Sequence, residues 1–143
     1  MMSALRLTAL LLTAAAPAGA APTVFVQQIA EAQRAQVTQS GQGQTAHITQ
    51  TGATTASATI TQSGDRNLAR ITQSGQGASQ AAVLQTGFNT IARVNQTACA
   101  GCGANQAAVV QAGASDTAAV TQSGGRNTAL AAQLGSHDVE TIL

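Results

Sequence analysis

Tryptophan, tyrosine and lysine are absent from this 143-residue chain, and phenylalanine occurs twice, at Phe25 and Phe88. From residue 21 on, Leu, Ile, Val and Phe make up 22 of 123 residues. That is thin for an ordinary globular core and close to the disordered range. Charge is scarce too: six arginines stand against five carboxylates, a formal net charge of +1. A near-neutral chain is not a self-repelling disordered one. It has no basic patch for nucleic acid and no charged face for a membrane. The carboxylates Glu31, Asp65, Asp116, Asp138 and Glu140 are few, and no spacing suggests a Ser-His-Asp set. The expectation is a protein that is not an enzyme and uses no cofactor. Its interior must bury backbone and polar side chains in regular hydrogen-bonded ladders.

Long apolar runs are lacking except at the start. Arg6 precedes an apolar run over residues 7–16, and small residues lead to Ala18-Gly19-Ala20, an A-x-A type cleavage site. This is the layout of a secretory signal peptide. Residues 1–20 are therefore expected to be a leader cleaved after Ala20, with residues 21–25 as a short N-terminal segment. The run is short for a bilayer and no other stretch would span one, so the mature chain is expected to have no transmembrane segment. An N-terminal membrane anchor is the alternative.

What the chain has is period. Ten glutamines recur at Gln28, Gln39, Gln50, Gln62, Gln73, Gln85, Gln96, Gln111, Gln122 and Gln133, with gaps of 11, 11, 12, 11, 12, 11, 15, 11 and 11 residues. A short unit at fixed spacing specifies stacked copies of one element. Asn67, Ala69, Ile71, Gln73 and Gly75 fall at every second position, with Leu68, Arg70, Thr72 and Ser74 between them. Alternate residues of a strand point to opposite faces. Residues 44–52, 90–96 and 116–124 keep the first set and vary the second. The constant face is therefore expected inside: Ile48, Ile60, Ile71, Val83, Val94, Val109 and Val120 beside the glutamines. The variable face, with His47, Arg70 and Arg93, is expected in water. A Gln stacked over a Gln can pass its amide hydrogen bond along the stack, as in amyloid ladders, which satisfies a polar group in a dry interior. Asn67, Asn105 and Asn127 lie near strand starts and suit an Asn ladder or an Asx turn. Asp65, Arg66, Arg70, Arg93, Asp116 and Arg126 read as surface charges that slow lateral association or simply solvate the face.

Each arc ends in Gly and a few tolerant residues, such as Gly64-Asp65-Arg66, which are turn sequences. Starting from Gln39, every second gap is 11 and the other gaps vary. Insertions then fall on one edge if two arcs make one coil. An antiparallel meander would share this parity, but the near-identity of the arcs favours parallel stacking. The expected fold is an all-β solenoid with two strands per coil and about five coils, over residues 26–135. Residues 136–143 are expected to begin an eleventh arc, with Asp138, Glu140 and Ile142 at the places of Asn, Ala and Ile/Val, and to act as a tail or a cap.

The unit N-x-A-x-[VI]-x-Q-x-G resembles the curlin repeat of curli fibre subunits, a bacterial functional amyloid. It reads NLARITQSG at 67–75, QTAHITQTG at 44–52 and DTAAVTQSG at 116–124, with a weaker copy at 26–37 that has Ala30 in the Gly place. The resemblance covers about residues 26–135. It implies secretion through an outer-membrane pore, accessory secretion proteins, and assembly into extracellular β-solenoid fibres on the cell surface. It also implies adhesion and biofilm roles, self-assembly, and a second curlin-type subunit as a partner. The chain departs from the pattern at Gln44, Thr90 and Asp116, which replace Asn, and in the last arc, where Ala131 replaces the β-branched residue. These departures leave open whether it is a major subunit or a nucleator.

Two features stand outside the repeat. Cys99 and Cys102 sit in the longest gap. A secreted chain permits a disulfide there, with free thiols or a metal or redox role as alternatives; a zinc site would want more ligands than lie nearby. The outward columns Thr38/Ser40, Thr49/Thr51, Thr61/Ser63, Thr72/Ser74 and Thr121/Ser123 resemble an ice-binding face. A soluble ice-binding solenoid is therefore the second reading, although Leu84, Asn95, Val110 and Ala132 interrupt the array.

Overall fold

A computed structural model describes residues 10–15, 19–29, 32–52 and 55–143. Arg6, Ala18, Ala30 and Glu31, to which the sequence reading gave roles, lie outside the described residues. The strands in chain order are β1 (Leu10–Ala15), β2 (Thr23–Ile29), β3 (Gln33–Ser40), β4 (Thr45–Thr51), β5 (Ala56–Asp65) and β6 (Leu68–Gly75). They continue as β7 (Ser79–Phe88), β8 (Ile91–Ala98), β9 (Asn105–Ala114), β10 (Thr117–Gly124), β11 (Thr128–Ser136) and β12 (Val139–Ile142). Odd strands form one six-stranded sheet and even strands another, each in strict numerical order. Each pairing joins a strand to the one two places on, and all are parallel. This is a β-solenoid: each pair β2–β3, β4–β5, β6–β7, β8–β9 and β10–β11 is one coil. β1 and β12 add half a coil at opposite ends, on opposite sheets.

Stacking places like on like because each coil repeats the same two arcs. Ile48 lies beside Ile71, which lies beside Val94. Val37, Ile60, Val83 and Val109 follow one another in the odd sheet. All seven β-branched residues expected inside, Ile48, Ile60, Ile71, Val83, Val94, Val109 and Val120, are buried, and an alanine column runs beside each row. Each buried Ile or Val contributes about 2 kcal/mol. No arc has enough apolar surface to stand alone, so each relies on its neighbours.

The boundaries differ from the expectation at both ends. β2 begins at Thr23, not 26, with Val24 beside Ala46 and Val26 beside Ile48. Leu10–Ala15, in the expected leader, lie as β1 in register with β3, Leu12 beside Val37 and Ala14 beside Gln39. At the far end β12 continues the even sheet, Glu140 beside Ala118 and Ile142 beside Val120.

Length variation gathers on one edge. The connection from β8 to β9 carries the cysteine turn and lies on the same side as β4–β5, β6–β7 and β10–β11. On the opposite edge the short turns are closed by residues at positive φ, among them Arg66, Asn89, Ser115 and His137. A glycine column also runs along the odd sheet: Gly64 beside Gly87, Gly87 beside Gly113, Gly113 beside Gly135.

Candidate assembly site: two glutamine ladders

Alternation within the strand turns each of the ten glutamines inward, and parallel in-register stacking sets each above the next. In the odd sheet the amide Nε2 of Gln39 donates to Oε1 of Gln62 at 2.8 Å, Gln62 to Gln85 at 2.8 Å, Gln85 to Gln111 at 2.9 Å and Gln111 to Gln133 at 2.7 Å. In the even sheet Gln28 donates to Gln50 at 2.7 Å, Gln50 to Gln73 at 2.8 Å, Gln73 to Gln96 at 3.0 Å and Gln96 to Gln122 at 2.7 Å. Both ladders run unbroken past the cysteine insertion.

Eight of the ten amides make a further bond that the sequence does not signal. It crosses the core to a backbone carbonyl of the opposite sheet: Gln50 to Arg34, Gln62 to Thr45, Gln73 to Ser57, Gln85 to Leu68, Gln96 to Gln80, Gln111 to Ile91, Gln122 to Gln106 and Gln133 to Thr117. A glutamine thus ties its own coil to the next and one sheet to the other. A buried amide without such partners would cost about 1–3 kcal/mol. The sequence carried no signal for this bond, since a backbone carbonyl has no residue identity.

Both ladders have the same direction. With the amides oriented by this network, Nε2 faces the C-terminal end throughout. The N-terminal end is left with acceptors: Oε1 of Gln28 and Oε1 of Gln39 are buried without a hydrogen-bond partner. At the other end Gln122 and Gln133 lack a ladder acceptor for one amide hydrogen: β12 stops beside Val120, short of the Gln122 column, and among the described residues no strand pairs beyond β11 in the odd sheet.

The asparagines do not form one ladder. Asn67 sits at a corner of the even sheet, donating to the carbonyls of Ser63 and Gly87 and accepting from N and Oγ1 of Thr90. Asn105 and Asn127 belong to the other sheet, where their amides hold carbonyls at the ends of even strands, those of Thr97 in β8 and of Gly124 and Ser123 in β10. Gln44 replaces Asn in the same role, donating to Ser40 and Gly64. The reading of Asp116 as a surface charge is overturned. It is fully buried in the Asn67 column, where Oδ1 accepts the backbone N–H of Asp138. The first repeat position varies in sequence yet points inward at a corner. Arg66 does lie at the surface, over the Phe88 ring at 5.4 Å.

The outward columns are uneven. Thr38 and Thr61 adjoin in the odd sheet, but Leu84 and Val110 follow; Thr49 and Thr72 adjoin in the even sheet, but Asn95 follows. Among the described residues the longest Thr column, Thr13, Thr38 and Thr61, covers three successive rungs, and its first member lies in the expected leader. His47 packs its ring against Phe25 at 4.7 Å. Burial, and then the charge of Arg70, hold its pKa below the usual 6.5. The unfolded chain therefore takes up a proton more readily than the folded one. The stability that neutral His47 contributes is fully present above about pH 6.5 and falls as pH drops below it. The urea midpoint of the folded chain should be lower at about pH 5 than at about pH 8, and His47→Gln should remove part of that slope. Equal slopes in the two proteins would show that His47 is not the group responsible.

Cys99 and Cys102 are joined by a disulfide in the β8–β9 turn, with Cα atoms 5.5 Å apart. Deleting residues 99–102 should leave assembly intact, because both ladders pass this turn without using it. Loss of all fibres, read by thioflavin fluorescence and microscopy, would give the turn a role that its geometry does not suggest. Among the described residues, no His/Cys/Asp/Glu group is placed to hold a metal ion, and no helix is long and apolar enough to cross a membrane.

No curated protein and no solved structure matches the chain. The family model for the curlin associated repeat matches residues 56–79. That stretch is β5, β6 and the turn into β7, one full coil with Gln62 and Gln73 inside it. The chain thus carries a curlin associated repeat at residues 56–79, and the same coil is stacked through both sheets.

Proposed function

We propose that this protein is a secreted structural subunit that polymerises head to tail into curli-like amyloid fibres on a bacterial surface, for adhesion and biofilm matrix. It is not an enzyme in this reading, and its main partner is a further copy of itself. A second curlin-type subunit and outer-membrane secretion proteins are expected from the family resemblance. Gln28, Gln39, Gln50, Gln62, Gln73, Gln85, Gln96, Gln111, Gln122 and Gln133 carry the assembly.

The observation that carries this reading is the mismatch between the two ends of each ladder. Buried acceptors on Gln28 and Gln39 lie at one end. Amide donors on Gln122 and Gln133 lie at the other. One copy's C-terminal coil offers what the next copy's N-terminal coil lacks, and the open strand edges template the same addition. Residues 21–143, purified and incubated, should give thioflavin-positive fibres with reflections near ~4.8 Å and ~10 Å. A soluble monomer that causes thermal hysteresis would replace this reading with the ice-binding one.

The half-coils bear on the rate: β1, which covers the edge of β3, departs with the expected leader, whereas β12 stays. β12 covers the edge of β10, so it must leave before Gln122 and Gln133 can meet Gln28 and Gln39 of the next copy in one rung. Truncation after Gly135 is expected to shorten the lag before fibre growth at equal protein concentration. An unchanged or longer lag would remove the cap role.

A further inference from the structure

The outer face of the odd sheet is divided. On β3 and β5 it shows Gln36, Thr38 and Ser40, then Thr59, Thr61 and Ser63. On β7, β9 and β11 the same three columns become Ala82, Leu84, Thr86; Ala108, Val110, Ala112; and Leu130, Ala132, Leu134. Leu84, Leu130 and Leu134 are 43%, 61% and 76% exposed. No charged side chain points outward from β7, β9 or β11 in these columns. The even sheet differs, with Arg70 and Arg93 on its outer face.

Size is ordered within this apolar half. In the first two columns each strand pairs one small and one large side chain: Ala82 with Leu84, Ala108 with Val110, Leu130 with Ala132. The alanines, with Gln80, Gln106 and Thr128 along the far wall, open a groove of ≈ 410 Å³ that runs from Ser57 and Thr59 of β5 across β7 and β9 and is closed by Leu130. Leu84 and Val110 form the ridge beside it. A two-fold axis parallel to the stack, placed between the two columns, reverses their order on the facing copy. Ridge then meets groove on every rung: Leu84 faces Ala82, Val110 faces Ala108, and Leu130 faces Ala132. The exchange is the same on both copies, as an isologous contact requires. The hydroxyl half of the face has no such alternation.

We propose that this half-face is a lateral docking site for a second copy of the same chain, pairing two fibres through a dry interdigitated seam. The inference rests on the polymer reading, because the patch is small. Three strands about 4.8 Å apart, each showing three side chains over about six residues of about 3.3 Å, present roughly 290 Å². A stable interface needs about 800 Å² per partner. One molecule falls short, and about three in line reach it. Lateral pairing therefore follows polymerisation and is multivalent, while the free subunit stays monomeric.

The test uses fibres grown from residues 21–143, with electron microscopy to count paired and single fibres and thioflavin fluorescence to follow growth. Two variants answer different questions. Leu84→Thr/Val110→Thr/Leu130→Thr gives these strands the residue that β3 or β5 carries. Ala82→Leu/Ala108→Leu keeps the face apolar but fills the groove. Wild-type fibres are expected to be paired. In both variants the paired fraction should fall at least about fivefold with growth within about twofold of wild type. Single wild-type fibres, or Thr variants that still pair, would overturn the inference and leave the polymer reading standing. Stronger bundling by the groove-filled variant would also overturn it, since mere stickiness would then suffice. Absence of fibres from the wild type would overturn the polymer reading and this one together.

Discussion

Replacing Gln50 and Gln73 together by Ala should raise the soluble concentration left at the end of assembly by at least about a hundredfold. Thr49→Ala with Thr72→Ala should change it by no more than about twofold. The two pairs are neighbours in sequence and differ in face. Removing the glutamine pair takes away the acceptor of Gln28, the donor to Gln96, and the cross-sheet donors to the carbonyls of Arg34 and Ser57. Each orphaned buried group costs about 1–3 kcal/mol, and the truncated side chains leave cavities as well. The losses share one network, so they will not simply add; half of them at about 2 kcal/mol each still exceeds the about 2.8 kcal/mol that a hundredfold change needs. Sedimentation of the plateau mixture measures it. Equal changes in the two double variants would mean that the face assignment fails in the fibre.

Gly87→Ala should prevent assembly altogether, whereas Gly101→Ala should be close to neutral. Gly87 has φ of 141°, and a Cβ there would lie 1.8 Å from the carbonyl oxygen of Gly113 in the next coil. That oxygen is backbone and cannot swing aside. Relief requires neighbouring coils to part by an ångström or more, which breaks the strand bonds around it. Gly101 has φ of 71° but nothing within 4 Å of the added carbon. Its substitution carries only left-handed strain, about 1–2 kcal/mol, in a turn that the ladders bypass. Fibre mass measured by sedimentation separates the two cases. Ordinary fibres from Gly87→Ala would show that the stacked glycine column is not kept in the polymer.

Much of this architecture was legible because one rule repeats. Period two fixed the faces, and the spacing of glutamines fixed the coil. The parity of the gaps put the insertions on one edge. The features that escaped are those for which the repeat template was a poor guide. Val24 stands where other arcs have Ala, so the strand starting at Thr23 was cut short at 26. Asp116 is a charged residue in a position that varies, which suggested water, yet the corner it occupies is closed by Asp138. The asparagines lie near strand starts and suited an Asn ladder or an Asx turn, but they belong to two sheets. The cross-sheet amide bonds depend on how far apart the sheets stand, and no residue pattern reports that distance. The split outer face of the odd sheet needed the strand register before Ala82, Ala108 and Leu130 could be seen as neighbours.

The gathering of unequal turns on one edge also makes this chain a carrier. A foreign loop grafted between Cys99 and Cys102 would leave the interior columns untouched and project sideways. The disulfide pins both ends of the graft. With five coils at about 4.8 Å each, the same cargo would recur about every 24 Å along a fibre. Epitopes, enzymes or metal-binding peptides placed there would form a row at molecular spacing, set by the length of the subunit and independent of what is attached.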